Sequence, residues 1–285
     1  MADAIMGDTE LGTTKQALIA ALVQKELASK TVLGNFFANM SMFAVPGAKT
    51  ISFPKLSSFT VSNRTEGVAG EATALTASLD TMLLDQNAYV AWIIDAMTLI
   101  QSNIPAQLES AKRAAAAQAR YFESKLIAEL ASCSSFFVNV GTDVNITYAN
   151  TVSLAQKIEE AHQNLSECMW VVSPTQKGVM MGLDEFKRAD VYGSGNIPSG
   201  VIGSIHGAPV MVHSALAAKQ AFLAHKDAIA YGFQKLPQYG EQSEIAYGVG
   251  AKKAAIDQLF GVKGQQLAQL GASAGKSPLI VGLND

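Results

Sequence analysis

The stretch SNRTEGVAGEATALTASLDTMLLD, Ser62–Asp85, has the pattern of two extended arms that meet at a tip between Gly67 and Gly70. Apolar residues occupy most odd positions of the segment 51–61 before it, and they alternate with polar residues again over 75–83 on the return. A two-residue period is typical of half-buried strands. The sequence therefore predicts a long polar hairpin, and since two strands alone are marginally stable in water, the hairpin needs a partner surface.

The residues before the hairpin predict a helix followed by an irregular arm. Thr14 is a candidate N-cap for a helix over 15–29, and the arm that follows has turn signals but weak periodicity. The aromatic residues of the arm leave two alternatives open: they fill the core of their own chain, or they lie on a neighbouring subunit. These aromatic residues are Phe36, Phe37 and Phe43, and the apolar stripe predicted for the helix is Leu18, Ala21, Leu22 and Leu27.

A long helix is predicted after the hairpin, over IPAQLESAKRAAAAQARYFESKLIAELAS, residues 104–132. After its proline the stretch is rich in Ala, and it would extend roughly 40 Å at about 1.5 Å per residue. Glu109 and Arg113 are placed to form an ion pair across one helical turn. The small Ala side chains favour close approach of a flat neighbour such as a sheet. The apolar positions at three-and-four spacing are Leu108, Ala111, Ala115, Ala119, Phe122, Leu126 and Leu130.

Beyond Cys133 the sequence alternates between strand-like and helix-like segments. CMWVVSP followed by TQKGVMMGLDEF predicts a buried strand that enters a helix, and Thr151 is a candidate cap for another helix over 152–165. The segments HKDAIAYGFQ and SPLIVGL near the end predict short strands. This order predicts an α+β body with the arm and the hairpin outside it.

Composition disfavours several classes of protein. The net charge is −3 and the basic residues are not clustered, which disfavours a dedicated nucleic-acid-binding protein. The N-terminus lacks the order of a signal peptide, and no apolar run approaches the roughly 20 residues of a membrane span, so neither export by such a signal nor membrane insertion is expected. Cys133 and Cys168 have no CxxC spacing, which is typical of buried thiols in a reducing cytoplasm.

No catalytic or cofactor site is predicted from the sequence. GASAGKS, Gly271–Ser277, resembles a phosphate-binding loop, but Leu270 stands where the first glycine is required and Pro278 blocks the helix that should follow. The histidines lack the compact spacing of a metal site, and adjacent acidic residues on a helix point in different directions. We therefore expect no enzyme activity, no cofactor and no metal.

The order of these features resembles the major capsid proteins of tailed bacteriophages, which have the Hong Kong 97-type fold. FPKLSSFTVSNRTEGVAGEATALTASLDTMLLD is similar to the extended loop of that family, and PAQLESAKRAAAAQARYFESKLIAEL is similar to its spine helix. VIGSIHGAPVMVHSAL followed by FLAHKDAIAYGFQ is similar to the return from its axial domain to its peripheral domain. The resemblance covers nearly the whole chain.

The resemblance implies an α+β fold with an N-terminal arm, an extended β-hairpin loop, a long spine helix, a peripheral domain and an axial domain. It places the arm with its helix at 1–45, the extended loop and its base at 46–98, and the peripheral domain with the spine helix at 99–145. The axial domain then covers 146–220, and the return strands of both domains cover 221–285.

The resemblance also implies that the hairpin lies across a neighbouring subunit. The tip segment 62–75 holds no lysine, so the covalent cross-link that some members form through a loop lysine is not expected here. The expected intersubunit contacts are the tip charges Arg64, Glu66 and Glu71 and the arm residues Phe36, Phe37 and Phe43.

The function implied by the resemblance is structural. Many copies would self-assemble as pentamers and hexamers of an icosahedral phage head that encloses double-stranded DNA, found in the virion after assembly in the host cytoplasm. The implied partners are copies of the chain itself, a separate scaffolding protein, a portal protein and a decoration protein, with no sequence-specific DNA binding and no membrane. Two alternatives stay open: an encapsulin-like compartment shell of the same fold, and a soluble cytoplasmic enzyme with a dispersed site.

Overall fold

The computed structural model describes residues 8–56, 63, 66, 77–95, 106–138, 145–160, 164–182, 201–264 and 277–283. The chain forms two compact units, each assembled from three separate segments. Unit 1 comprises Met1–Lys49, Leu84–Leu126 and Tyr231–Gly261, and unit 2 comprises Thr50–Leu83, Ile127–Ala230 and Val262–Asp285.

In chain order the helices and strands are α1 (Asp8–Lys30), β1 (Ala38–Asn39), β2 (Thr50–Leu56), β3 (Ala77–Leu83), β4 (Gln86–Ile94), α2 (Ala106–Cys133), β5 (Ser134–Val138), α3 (Tyr148–Glu160), β6 (Cys168–Val172), α4 (Pro174–Met180), β7 (Val201–Ile205), β8 (Ala208–Val212), β9 (Ala221–His225), β10 (Ile229–Ser243), β11 (Lys252–Gly264) and β12 (Ser277–Leu283).

Unit 1 is built around a four-stranded sheet with the strand order β1-β10-β11-β4. β11 and β4 run antiparallel, from Lys252 opposite Ile94 to Phe260 opposite Gln86. Along β4 the more buried side chains alternate with exposed ones, as expected for a sheet with one covered face. Among the described strands β11 is the only neighbour of β4, so β4 and β1 are the two edges of this sheet.

The part of α2 up to Leu126, which belongs to unit 1, covers the sheet of that unit with the face that the sequence predicts. Six of the seven predicted residues are no more than 1% exposed, and Leu108 is half-buried. Gln118 ties the helix to two neighbouring strands, because its amide donates to the carbonyl of Ala88 at 3.2 Å and to that of Ile256 at 3.0 Å. On the solvent side, Arg113 and Glu109 form the predicted ion pair at 3.2 Å.

An aromatic cluster anchors α2 in unit 1. Phe122 of the helix contacts Tyr231, Phe233 and Phe260 of the sheet with ring centroids 5.1 to 5.2 Å apart. The Tyr231 hydroxyl donates to the carbonyl of Gly34 at 2.7 Å, and burial raises the pKa of this phenol. A Cβ at Gly34 would lie 2.8 Å from the Phe122 ring, so only glycine fits where the chain passes over the cluster.

Unit 2 is built around a six-stranded sheet with the order β5-β12-β9-β6-β8-β7. All five residues of β6 are buried, and the strand pairs in parallel with β8 and antiparallel with β9. The Ser173 hydroxyl accepts a hydrogen bond from the Gln176 backbone and caps α4, with Pro174 in the first turn. The predicted buried strand that enters a helix is therefore confirmed. The core of unit 2 includes Trp170 of β6 and Leu154 of α3.

The predicted hairpin is present in unit 2 as two antiparallel strands. β2 and β3 pair along all seven residues of each strand. At the base of the hairpin Ile51 and Met82 stand opposite each other, and both are no more than 2% exposed. The connection 57–76 lies outside the described residues, except for Asn63 and Glu66.

The apolar stripe predicted for α1 is correct at Leu27 and wrong at Leu18, Ala21 and Leu22. Leu18 and Leu22 are 63% and 38% exposed, whereas Ile19, Val23 and Leu27 form the buried face. Apolar residues occur almost all around this helix, so their spacing alone does not select one face.

Two predicted helix caps are also wrong. α1 begins at Asp8, which places Thr14 inside the helix. α3 begins at Tyr148, which places Thr151 in its first turn, where its buried hydroxyl donates to the Tyr148 carbonyl at 2.7 Å. A Thr side chain inside a helix bonds the preceding turn in this way, so a lone Thr before an apolar run does not by itself mark a helix start.

Candidate assembly surfaces

The hairpin exposes apolar side chains that its own strands do not cover. Leu79 and Leu83 of β3 are 74% and 59% exposed. Among the described strands, no third strand pairs with β2 or β3. Glu66 lies in a turn and is exposed, while Arg64 and Glu71 lie outside the described residues. The hairpin is therefore a two-stranded ribbon with an uncovered apolar side, a structure that is marginal in water without a partner.

The structure separates the three aromatic residues of the arm. Phe37 is 4% exposed and lies edge-on to the half-buried Phe36, with ring centroids 5.3 Å apart. Nearby, the Glu123 carboxylate of α2 accepts hydrogen bonds from the backbone N–H groups of Val32 and Leu33. Phe37 is thus buried within its own chain, which favours the first of the two alternatives for this residue.

Phe43 differs from Phe37, because its side chain is 57% exposed. Its neighbours in the arm are exposed as well. Met42 is 83% exposed and Val45 is 62% exposed. We call Met42, Phe43 and Val45 the arm knob. The sequence analysis singled out Phe43 within this group, and the neighbouring Met42 and Val45 complete the exposed apolar surface.

The backbone of the arm knob is held by hydrogen bonds to β10. The Met40 N–H donates to the Tyr231 carbonyl at 2.7 Å, and the Phe233 N–H donates to the Ser41 hydroxyl at 2.9 Å. The Gln234 amide donates to the carbonyls of Val45 and Ala48 at 2.9 and 2.7 Å. The knob is therefore an apolar surface on a fixed backbone, not a loosely attached tail.

A second exposed apolar group lies in the turn between β10 and β11. Ile245, Tyr247 and Val249 are 80%, 53% and 91% exposed. Gly248 and Gly250 adopt φ values of 99° and 101°, a conformation that favours glycine, and so allow the tight return into β11. The sequence analysis missed this group, although Gly248 and Gly250 flanking an apolar Val249 are a signal for a turn with an exposed apolar residue.

An apolar groove of about 640 Å³ runs between the edge strand β4 and the helix α2. Its walls are formed by Val90, Trp92 and Ile93 of β4 and by Ala114 and Ala117 of α2. We call this the β4 groove. Asp95 follows β4 at one part of its rim, and Arg113 lies at another part. The alanines of α2 therefore have two roles: the predicted Ala111, Ala115 and Ala119 are buried, and Ala114 and Ala117 line the groove.

The Glu241 carboxylate in unit 1 is held by several hydrogen bonds. The Glu241 carboxylate accepts hydrogen bonds from the Tyr239 hydroxyl at 2.8 Å and from Lys252 Nζ at 2.9 Å. The Gln107 amide also donates to it, at 3.4 Å. Burial, followed by the bond to Glu241, raises the pKa of the Tyr239 phenol. This arrangement neutralises one buried charge and leaves no group poised for proton transfer.

A second polar cluster, in unit 2, joins the turn after β9 to the segment before β6. The Glu167 carboxylate lies 2.9 Å from Lys226 Nζ and 3.2 Å from Nε2 of the buried His225. Because the Asp227 N–H donates to Nδ1 of His225, the ring donates through Nε2 to Glu167. The bond from Lys226 lowers the pKa of Glu167, and burial followed by the Glu167 charge raises the pKa of the Cys168 thiol to about 12. A thiol with such a pKa is not a nucleophile at neutral pH.

The described residues bring together no catalytic constellation. Among them, no three His, Cys, Asp or Glu side chains are grouped as metal ligands. Of the P-loop-like stretch, only Ser277 is described, and it begins the strand β12 rather than a helix. None of the helices in the described part of the chain is long and apolar enough to cross a bilayer.

Comparison with known proteins gives similarity at the level of structure. No family profile and no curated protein sequence matches the chain. A structure from Mycobacterium phage Che8 is 15% identical and superimposes with a TM-score of 0.67, covering 89% of this chain and 90% of that one. The mature capsid of bacteriophage PhiM1 is 14% identical with a TM-score of 0.63, covering 89% and 86%. A virus-like particle from Pyrococcus furiosus is 7% identical with a TM-score of 0.61, covering 94% and 99%.

These similarities establish the fold. The chain has the Hong Kong 97-type capsid fold over about nine-tenths of its length, as the order of its sequence features predicts. The body is a mixed α+β structure, and the hairpin β2–β3 and the long helix α2 take the places predicted for the extended loop and the spine helix.

Proposed function

We propose that this chain is the major capsid protein of a tailed bacteriophage, and that many copies assemble as pentamers and hexamers of an icosahedral head around double-stranded DNA. The observation that carries the proposal is the match of nearly the whole chain to subunits of phage capsids, with similar coverage of both partners. Both matches cover 89% of this chain.

The exposed apolar surfaces support the same proposal. The arm knob and the β10–β11 turn expose apolar side chains to water, which does not stabilise a monomer. Large exposed apolar patches mark interaction sites. A shell subunit requires several such surfaces, because each copy contacts several neighbours. Many modest contacts repeated through a closed shell give stability that no single contact has.

The charge balance fits a container for DNA. The chain carries a net charge of −3, so it offers few cations for release of counterions from phosphates. We infer that the packaged DNA is enclosed without sequence-specific binding. The remaining partners in the proposal are a separate scaffolding protein, a portal protein and a decoration protein, with assembly in the host cytoplasm and the virion as final location.

A compartment shell that encloses protein cargo is the second candidate. It is favoured by the similarity to the virus-like particle from Pyrococcus furiosus, which spans 94% of the chain. The phage candidate is preferred because most of the phage structures superimpose with higher TM-scores, from 0.63 to 0.67. The contents of the particle, nucleic acid or protein, distinguish the two.

Electron microscopy of the chain, produced together with the proteins of its neighbouring genes, tests the proposal. We expect uniform closed shells that sediment as a single species, and full particles that contain double-stranded DNA. Shells that contain only protein cargo would favour the second candidate. A small defined oligomer, with no shells under any condition of co-production, would contradict both.

A further inference from the structure

We propose that the arm knob of one copy docks in the β4 groove of a second copy. The inference rests on the proposed function, because it names one contact through which the copies join. The contact is heterologous: the surface that one copy offers differs from the surface that it receives. Contacts of this kind form closed rings when the rotation between copies closes.

The two surfaces lie at opposite edges of one sheet. The knob follows β1, which is one edge of the four-stranded sheet of unit 1, and the groove borders β4, which is the other edge. A chain with a projection at one edge and a recess at the other is suited to join the next copy in the same direction. The sheet between them fixes their separation, since its strands are hydrogen-bonded throughout.

The knob is organised before any partner binds. Its hydrogen bonds to Tyr231, Phe233 and Gln234 hold the backbone, while the side chains of Met42 and Phe43 remain exposed. Binding a preorganised surface loses less conformational entropy than ordering a flexible tail. Aromatic side chains and Met are also enriched among the residues of interface cores.

The groove has the size and the character that these side chains require. Its volume of about 640 Å³ is open to solvent, so side chains of a second copy can enter it directly. The wall from β4 carries Val90 and Trp92, and the wall from α2 carries the small side chains of Ala114 and Ala117 beside Ser110 and Arg113. Small residues on one wall allow an aromatic side chain to enter beside the helix.

One charge beside each surface is complementary to the other, while Arg113 at the rim of the groove is paired with Glu109 of its own helix. Lys49 is exposed just after the knob, and Asp95 is exposed at the rim of the groove. Neither side chain has an ion-pair partner within the described part of the chain. Opposite charges at the edge of an interface fix the register of docking and disfavour wrong partners.

An exchange of charges tests whether Lys49 of one copy lies close to Asp95 of the next copy. Lys49→Glu and Asp95→Lys should each weaken self-association about two- to fivefold per contact, which is the effect expected of an exposed ion pair. The double variant should restore association toward the wild-type value, measured by sedimentation velocity. Independent losses that add in the double variant would overturn the pairing of these two surfaces.

Disulfide trapping tests the proximity of the two surfaces without removing the knob. In a Cys133→Ser background, Ala44→Cys in the knob segment and Ala117→Cys in the groove should give a ladder of covalent oligomers on oxidation. Ala91→Cys is the matched control for Ala117→Cys, because Ala91 is exposed on β4 but does not line the groove. The pair of Ala44→Cys with Ala91→Cys should give no ladder.

The outcomes separate this inference from the proposed function. Closed shells without the ladder would overturn the knob-in-groove contact and leave the capsid proposal standing. A ladder without shells would support the contact and contradict assembly of a closed head. Absence of both would overturn both.

Discussion

The buried face of α2 and the arm knob use apolar residues in opposite ways. Phe122, Leu126 and Leu130 of α2 are no more than 1% exposed, whereas Met42 and Phe43 are 83% and 57% exposed. The first group is packed in the interior of the subunit, and the backbone of the second is held by hydrogen bonds to β10. The difference shows that apolar residues in this chain serve two ends: those of α2 stabilise the subunit, and those of the knob are available for another copy.

The largest effect on subunit stability is expected inside the aromatic cluster. Phe122→Ala removes a side chain that contacts three other aromatic rings and leaves a cavity. The free energy of unfolding should fall by about 3–5 kcal/mol, the usual cost of such a change. Urea denaturation of the free subunit measures it. Tyr121→Ala, at a neighbouring exposed position, is the control, and an equal loss in both variants would contradict the distinct role of the buried face.

A smaller effect is expected from a buried polar residue of unit 2. Gln176 accepts a hydrogen bond from the Ile146 N–H at 2.9 Å and donates to the Lys219 carbonyl at 2.7 Å. Gln176→Leu removes both hydrogen bonds, so the free energy of unfolding should fall by about 1–3 kcal/mol for each buried bond that is lost. Thr175→Leu, at an exposed position of the same helix, is the control in the same denaturation experiment. A Gln176→Leu variant of wild-type stability would show that these bonds do not hold α4 in place.

The arm knob should contribute little to subunit stability and much to assembly. Met42→Ser combined with Phe43→Ser changes exposed side chains, so the free energy of unfolding should shift by no more than about 0.5 kcal/mol for each change. Shell yield, measured by sedimentation and microscopy, should fall sharply. Met181→Ser changes a side chain of unit 2 that is 50% exposed and should leave the yield near normal. If the knob variant instead unfolds, the knob belongs to the subunit core.

The smallest effect on stability is expected at the tip of the hairpin. Arg64→Glu, or Glu66→Lys combined with Glu71→Lys, reverses charges whose surface pairs are worth roughly 0–1 kcal/mol. The melting temperature of the free subunit should remain nearly unchanged, while shell yield falls, because like charges placed together at an interface cost several kcal/mol. Normal shells from both reversals would remove the tip from the set of essential contacts. A large fall in melting temperature would assign the tip to the body of the subunit.

The sequence predicts the elements with strong periodicity better than it predicts their exposed surfaces. The face of α2 is correct because Ala and larger apolar residues repeat at helical spacing against polar neighbours. The face of α1 is largely wrong because apolar residues lie almost all around that helix, so only tertiary packing decides that Val23 rather than Leu22 is buried. In β3 the alternation is real, but the buried residue is Met82 and the regularly spaced Leu79 and Leu83 are exposed.

The assembly surfaces could be predicted only in part. Phe36, Phe37 and Phe43 look alike in the sequence, and what separates them is the hydrogen-bonded path of the arm along β10. The β4 groove arises from residues about 20 positions apart in β4 and α2, which meet only after the helix packs on the sheet. No local pattern encodes such a recess. The hairpin, by contrast, is visible in the sequence because its strands alternate and its connection is polar.

A cryo-electron microscopy reconstruction of the assembled particle, at a resolution that shows side chains, tests most directly whether the exposed apolar residues serve assembly. We predict a closed icosahedral shell in which Met42, Phe43 and Val45 are covered by a neighbouring subunit, while Phe122 keeps the contacts that it has within its own chain. A closed shell in which the three knob side chains remain exposed to solvent would contradict the division of apolar residues between subunit core and assembly surface.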